Sequence, residues 1–130
     1  MSPPKWIKPQ LCKPAAKAPS GPLWVHEIKF DGYRIAARID HGAVQLLTRS
    51  GLDWTVKYPA TAAALAKLKV KSAYLDGELG GVRPDGVTSF ALMQQASDRG
   101  GAGLVYFAFD LLELDGEDLA ALPLLDRKTA

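Results

Sequence analysis

Cysteine is all but missing from this chain of 130 residues, with Cys12 its single representative. One thiol excludes an internal disulfide and a thiolate zinc cage, and it agrees with a reducing compartment. Long apolar runs are missing too. None approaches the ~20 residues that a membrane-spanning helix needs, and the start, Met1-Ser2-Pro3-Pro4-Lys5-Trp6, has no signal-peptide core. The expected address is the cytoplasm, with no membrane partner. Acidic residues are absent from the first twenty positions, where Lys5, Lys8, Lys13 and Lys17 stand unopposed. Such a stretch can track phosphate or simply be a solvated basic tail. A net charge of +2 and a pI near 8.7 neither require nor exclude a nucleic-acid partner. Internal repeats are absent as well.

What is present is 48% hydrophobic residues, enough at this length for a real core. Six prolines crowd residues 1–22 without strand or helix periodicity. This stretch is expected to be an extended lead or linker, on which Trp6, Ile7 and Leu11 offer apolar groups that could dock. Alternation then takes over. Strands are expected over residues 24–30, 33–39 and 44–49, with Asp40-His41-Gly42 turning between the last two. A helix rich in alanine and leucine over residues 58–69, opened by Pro59, precedes a strand over residues 72–82. Arg83-Pro84-Asp85-Gly86 is a turn by composition, Ser89 a helix N-cap, and residues 104–112 a buried strand by their apolar and aromatic content. Leu114-Asp115-Gly116-Glu117 turns again, and Asp126 is expected to cap a last helix. The fold class is α+β, a mainly antiparallel β-sheet with flanking helices, occupying residues 23–130 behind the 1–22 lead.

Chemistry begins at Glu27-Ile28-Lys29-Phe30-Asp31-Gly32-Tyr33-Arg34. The strand period of two puts Glu27 and Lys29 on one face, with Ile28 and Phe30 on the other. Asp31-Gly32 allows a tight turn, so that a lysine and an arginine can approach one ligand. In Leu75-Asp76-Gly77-Glu78-Leu79 a carboxylate is set in a partly apolar wall, where it needs a donor such as a ribose hydroxyl or a metal-bound water. In Tyr106-Phe107-Ala108-Phe109-Asp110-Leu111-Leu112 the ring of Phe109 can stack on a base. Taken singly, the three are as readily a surface hairpin, a turn and a core aromatic.

In this order, with 49 residues from Lys29 to Glu78 and 31 from there to Phe109, the motifs resemble the covalent nucleotidyltransferases: ATP-dependent DNA ligases, RNA ligases and mRNA capping enzymes. The flanks Trp24-Val25-His26-Glu27, Thr48-Arg49-Ser50-Gly51 and Leu122-Pro123-Leu124-Leu125-Asp126-Arg127 look most like the bacterial end-joining DNA ligases of the ligase D type. The resemblance covers roughly residues 6–130. It implies an incomplete ATP-grasp-like nucleotidyltransferase fold in a bacterial, nucleoid-associated protein. Lys29 would be the nucleophile that takes AMP from ATP with Mg²⁺ or Mn²⁺. The nucleotide site would comprise Glu27, Ile28, Arg34, Arg49, Glu78 and Phe109. Glu27 would accept from the adenine amine, Arg34 and Arg49 would hold phosphate, Glu78 would approach the ribose or a metal ion, and Phe109 would stack on the purine. Chemistry supports two of these roles. An ionised carboxylate only accepts hydrogen bonds, so Glu27 suits adenine's amine over guanine's carbonyl. An amine nucleophile must shed its proton, which neighbouring cations such as Arg34 and a nucleotide-bound metal favour. The implied partners are nicked or broken duplex DNA in double-strand-break repair and a protein that binds DNA ends.

The chain also departs from the family pattern. A metal-binding Glu-Gly-x-x-x-Lys segment and a later Lys-x-Lys pair do not follow Phe109, while Lys67-Leu68-Lys69 and Lys69-Val70-Lys71 precede Glu78 and read as solvated. The chain is therefore expected to be the N-terminal part of an adenylation domain that seals nicks poorly or not at all by itself. An unpaired sheet edge would be open to self-association. A reading from another class is a noncatalytic module that binds nucleotide, DNA or a repair partner. Activity with GTP or RNA ends is disfavoured by the Trp54 and Leu122-Pro123-Leu124 flanks.

Overall fold

The computed structural model describes residues 2–98, 101 and 103–130. Strands β1 (Tyr33–Asp40) and β2 (Ala43–Thr48) form a hairpin whose turn holds His41 and Gly42 at φ 49° and 85°, the positive pair that a tight hairpin demands. Strand β3 (Ser72–Val82) pairs with β1, β5 (Val105–Leu114) with β3, and β6 (Glu117–Asp118) with β5, all antiparallel. The order across the sheet is β2-β1-β3-β5-β6, and the short β4 (Thr88–Ser89) pairs with the end of β3. Helices α1 (Pro59–Ala66) and α2 (Phe90–Ser97) pack on β2 and β3, and α3 (Leu124–Thr129) packs on β5. Pro59 opens α1 and the Ser89 hydroxyl caps α2 by accepting from the Leu92 N–H, as their residue types predict.

One face of the sheet is the core. Ile35, Ala37 and Ile39 of β1, Leu46 of β2 and Leu79 of β3 are buried there against Tyr58, Leu65 and Met93 from the helical side. Each fully buried Ile, Leu or Met contributes about 1.5–3 kcal/mol, so this layer dominates stability. The opposite face carries Arg34, Ala36 and Arg38 of β1, opposite Glu78, Asp76 and Tyr74 of β3. It is polar, and the lead segment crosses it.

Three expectations need correction. Residues 24–30 form no strand: β2 and β3 occupy both edges of β1, so this stretch runs largely exposed and without a ladder partner among the described residues. Asp126 does not cap the last helix. Pro123 precedes α3 and its carbonyl accepts from the Asp126 and Arg127 N–H groups, leaving Asp126 inside the first turn, where its charge still complements the helix dipole. The strand expected over residues 104–112 is present as β5 but half-buried, because only one of its faces meets the core.

Candidate active site

The site grows from the register of β1, β3 and β5. Directly opposed residues share a face, so the pairings Arg34 with Glu78 and Ala36 with Asp76 bring three charged groups together. Arg34 closes a two-pronged ion pair with Asp76, Nε to Oδ1 at 3.1 Å and Nη2 to Oδ2 at 2.7 Å, and its Nη1 donates to the Gln10 carbonyl at 2.6 Å. That pairing raises the Arg34 pKa further. Glu78, beside it, has no ion pair among the described residues.

Strand β5 contributes through an irregularity. Gly77 faces Ala108 but Asp76 faces Asp110, so one extra residue, Phe109, is accommodated between those pairings. Such a bulge re-aims side chains. Phe109 and Asp110 accordingly line one hollow with Arg34, and the Arg34 guanidinium stands 5.6 Å from the Phe109 ring centre. Asp110 is itself held by Arg127 of α3, Nε to Oδ1 at 2.8 Å and Nη2 to Oδ2 at 3.1 Å.

Lys29 lies in the extended segment before β1. Phe30 stacks on Phe107 with ring centres 4.3 Å apart, and the Asp31 N–H donates to the Thr88 hydroxyl at 2.9 Å. With Phe30 pinned to the sheet, the neighbouring Lys29 side chain points to solvent, 91% exposed, with Asp31 as its ion-pair partner at 3.5 Å. Glu27 is ion-paired with Lys128 of α3, and Ile28 is 77% exposed.

A hollow of about 630 Å³ opens on this face, lined by Arg34, Asp76, Phe109, Asp110, the Thr48-Arg49 end of β2 and residues 6–13 of the lead. Its size suits a nucleotide. Of the residues singled out by sequence, Arg34, Arg49 and Phe109 share its wall. Glu78 adjoins it through Arg34 on the neighbouring strand, whereas Glu27, Ile28 and Lys29 lie outside its lining. Asp76, Asp110 and Arg127 have no role among the expectations drawn from sequence. Strand alternation, which puts Asp76 on the face of Glu78, was signal enough for the first. Nothing local in sequence links Asp110 to Arg127.

The ATP dependent DNA ligase domain family matches residues 9–130 of the chain. The chain belongs to that family. Among curated relatives of this ligase-family chain, the multifunctional non-homologous end joining protein LigD of Pseudomonas aeruginosa is 41% identical over 126 residues, 96% of this chain and 15% of the relative. The SPbeta prophage-derived DNA ligase-like protein LigB of Bacillus subtilis is 30% identical, over 95% of this chain and 46% of that protein. The crystal structure of the ligase domain from M. tuberculosis LigD superposes with a TM-score of 0.69 at 42% identity, covering 79% of this chain and 34% of that one. A mycobacterial DNA ligase D complexed with ATP and MES gives 0.70 at 40% identity with the same coverages.

Electrostatics mark Glu78 within this site. Burial pushes its pKa up, with Arg34 and then Lys29 opposing and Asp76 and Asp31 reinforcing. A carboxyl held above its unfolded value weakens the fold as pH rises from the unfolded toward the folded pKa, because the native state keeps a proton that the unfolded chain releases. Glu78→Gln is thus expected to raise Tm at neutral pH. The gain should fade below about pH 4, where the unfolded carboxyl is protonated as well. Thermal melts at several pH values check this; a gain independent of pH would contradict it.

Proposed function

We propose that this chain is the nucleotide-holding, N-terminal part of the adenylation domain of an ATP-dependent DNA ligase acting in double-strand-break repair, built on an incomplete ATP-grasp-like nucleotidyltransferase sheet. The observation that carries the reading is the meeting of Arg34, Glu78 and Phe109, from three adjacent strands, on one polar face, beside the segment that holds Lys29.

In this reading the Lys29 Nζ attacks the α-phosphorus of ATP. The P–N bond forms, the bond from that phosphorus to the bridging oxygen breaks, pyrophosphate leaves and the amine gives up its proton. Phe109 stacks on the adenine while Arg34, held in place by Asp76, and Arg49 face the phosphates. Glu27 reads the adenine amine once its pairing with Lys128 opens. Among the described residues no cluster of three His, Cys, Asp or Glu side chains forms a metal cage. A Mg²⁺ arriving with the triphosphate needs only one or two carboxylates, and Glu78 fits because Asp76 and Asp110 are committed to arginines. When bound, the ion shields the phosphate charge.

Intact mass after incubation with ATP and Mg²⁺ tests the reading. An adduct of AMP mass is expected, and Lys29→Ala should abolish it. Nucleotide binding without any adduct would transfer the reading to a noncatalytic nucleotide-binding module. Because the chain spans 34% of the matched ligase-domain chains, the proposal concerns AMP capture, with sealing of nicked DNA left to the larger enzyme.

A further inference from the structure

The hollow carries more positive charge than its two pairs of ions use. Five cationic side chains line it, Lys8, Lys13, Arg34, Arg49 and Arg127, against two acidic ones, Asp76 and Asp110. Arg34 and Arg127 neutralise the two carboxylates by two-pronged contacts. Lys8, Lys13 and Arg49 remain without an ion pair among the described residues, a surplus of three positive charges turned toward one cavity.

Two of those three belong to the lead, and the lead is anchored where they stand. The Ile7 N–H donates to the buried Tyr74 hydroxyl at 2.8 Å, and the Gln10 carbonyl accepts from Arg34 at 2.6 Å. Lys8 thus lies between two fixed points, and Lys13 three residues beyond the second. Upstream, the Pro3 and Pro4 carbonyls accept from Arg38 at 3.0 and 2.8 Å. Cations on an ordered backbone, facing a hollow of nucleotide size whose two lining carboxylates are already paired with arginines, call for an anion.

We propose that Lys8 and Lys13 are phosphate-binding residues of this hollow, holding the β- and γ-phosphates of a bound nucleoside triphosphate. The assignment rests on the reading that a nucleotide occupies the hollow. It gives the basic lead a task within the site, supplying phosphate-neutralising charge from the N-terminal side.

Calorimetric titration of the chain with α,β-methylene-ATP, which cannot transfer AMP, and with adenosine tests it. The double variant K8A/K13A is expected to bind the triphosphate analogue about tenfold or more weakly, as for lost charged hydrogen bonds, with a shallower salt dependence. Adenosine affinity should hold within about twofold on the same grounds, since adenosine carries no phosphate for the lysines to meet, and K8R/K13R should restore most of the loss. Unchanged affinity for the analogue would overturn the assignment. So would a loss confined to a nicked duplex, which would make the lysines a DNA contact. If the wild-type chain still forms the Lys29 adduct, either result leaves the parent reading standing. Wild-type protein that binds no nucleotide and forms no adduct sinks both. Melting curves of each variant confirm that the fold is intact.

Discussion

Asp76→Ala is expected to cost about 3–5 kcal/mol of folding stability, the range for breaking a desolvated ion pair by removing one partner. The pair is not fully buried, with side-chain exposures of 21% for Arg34 and 11% for Asp76, so the lower end of the range applies. Even that is a large share of the roughly 5–15 kcal/mol that holds a domain together. The cause is the orphaned guanidinium more than the lost bond. Arg34 would remain in the sheet with two donors unsatisfied and only Gln10 to hold it. Asp76→Asn, which keeps the shape and one acceptor, should lose less. Urea unfolding measures both, and a cost below about 1 kcal/mol for the alanine variant would reduce the pair to an ordinary surface contact. Nucleotide affinity should fall in both variants, since an arginine without its anchor no longer faces the ligand in one orientation.

Gly77→Ala is expected to be comparably damaging for a steric reason. A Cβ there would sit 2.6 Å from the Phe107 carbonyl oxygen of β5 and 2.6 Å from Cζ of Tyr106. The Tyr106 ring passes over β3 at this point, and its hydroxyl donates to the Ile35 carbonyl of β1 at 2.6 Å. The added methyl must push aside both a strand and a ring. Overpacking costs about 1–3 kcal/mol and losing the Tyr106 bond about 1 more. Combining Gly77→Ala with Tyr106→Ala separates the two sources. If the ring is the main obstacle, the second substitution should cost far less in the Gly77→Ala background than alone; simple additivity would place the conflict at the Phe107 carbonyl.

This glycine also measures how much of the site was legible in the sequence. Asp-Gly-Glu was visible as a motif at residues 76–78, but the reason for its glycine lies 29 residues away in Tyr106, which no local pattern reports. Strands whose alternation is set by their own residues were read well: β1, β2 and β3 lie within about a residue or two of where periodicity puts them. Residues 24–30 have the same alternation and fail to become a strand, because pairing depends on a vacant edge rather than on propensity. The meeting of Arg34 with Glu78 follows from β1 and β3 pairing in one register. Phe109 joins them by plain alternation, two residues from Phe107, which faces Glu78; that the next residue, Asp110, lines the same hollow depends on a bulge, which alternation alone cannot locate. The family resemblance makes Arg34 a phosphate ligand, yet most of its donors are already engaged by Asp76 and Gln10. Spacing can show which residues arrive together. It is silent on how they divide their bonds.

The hydrogen bonds that hold the lead run to its main chain: Arg38, Tyr74 and Arg34 reach for the backbone groups of Pro3, Pro4, Ile7 and Gln10. A path fixed in that manner is indifferent to most of what decorates it. An exposed side chain outside the lining, such as Lys5, is therefore free to be exchanged in the laboratory for a probe or tether, while the route of the polypeptide across the sheet stays where the two arginines and the tyrosine hold it.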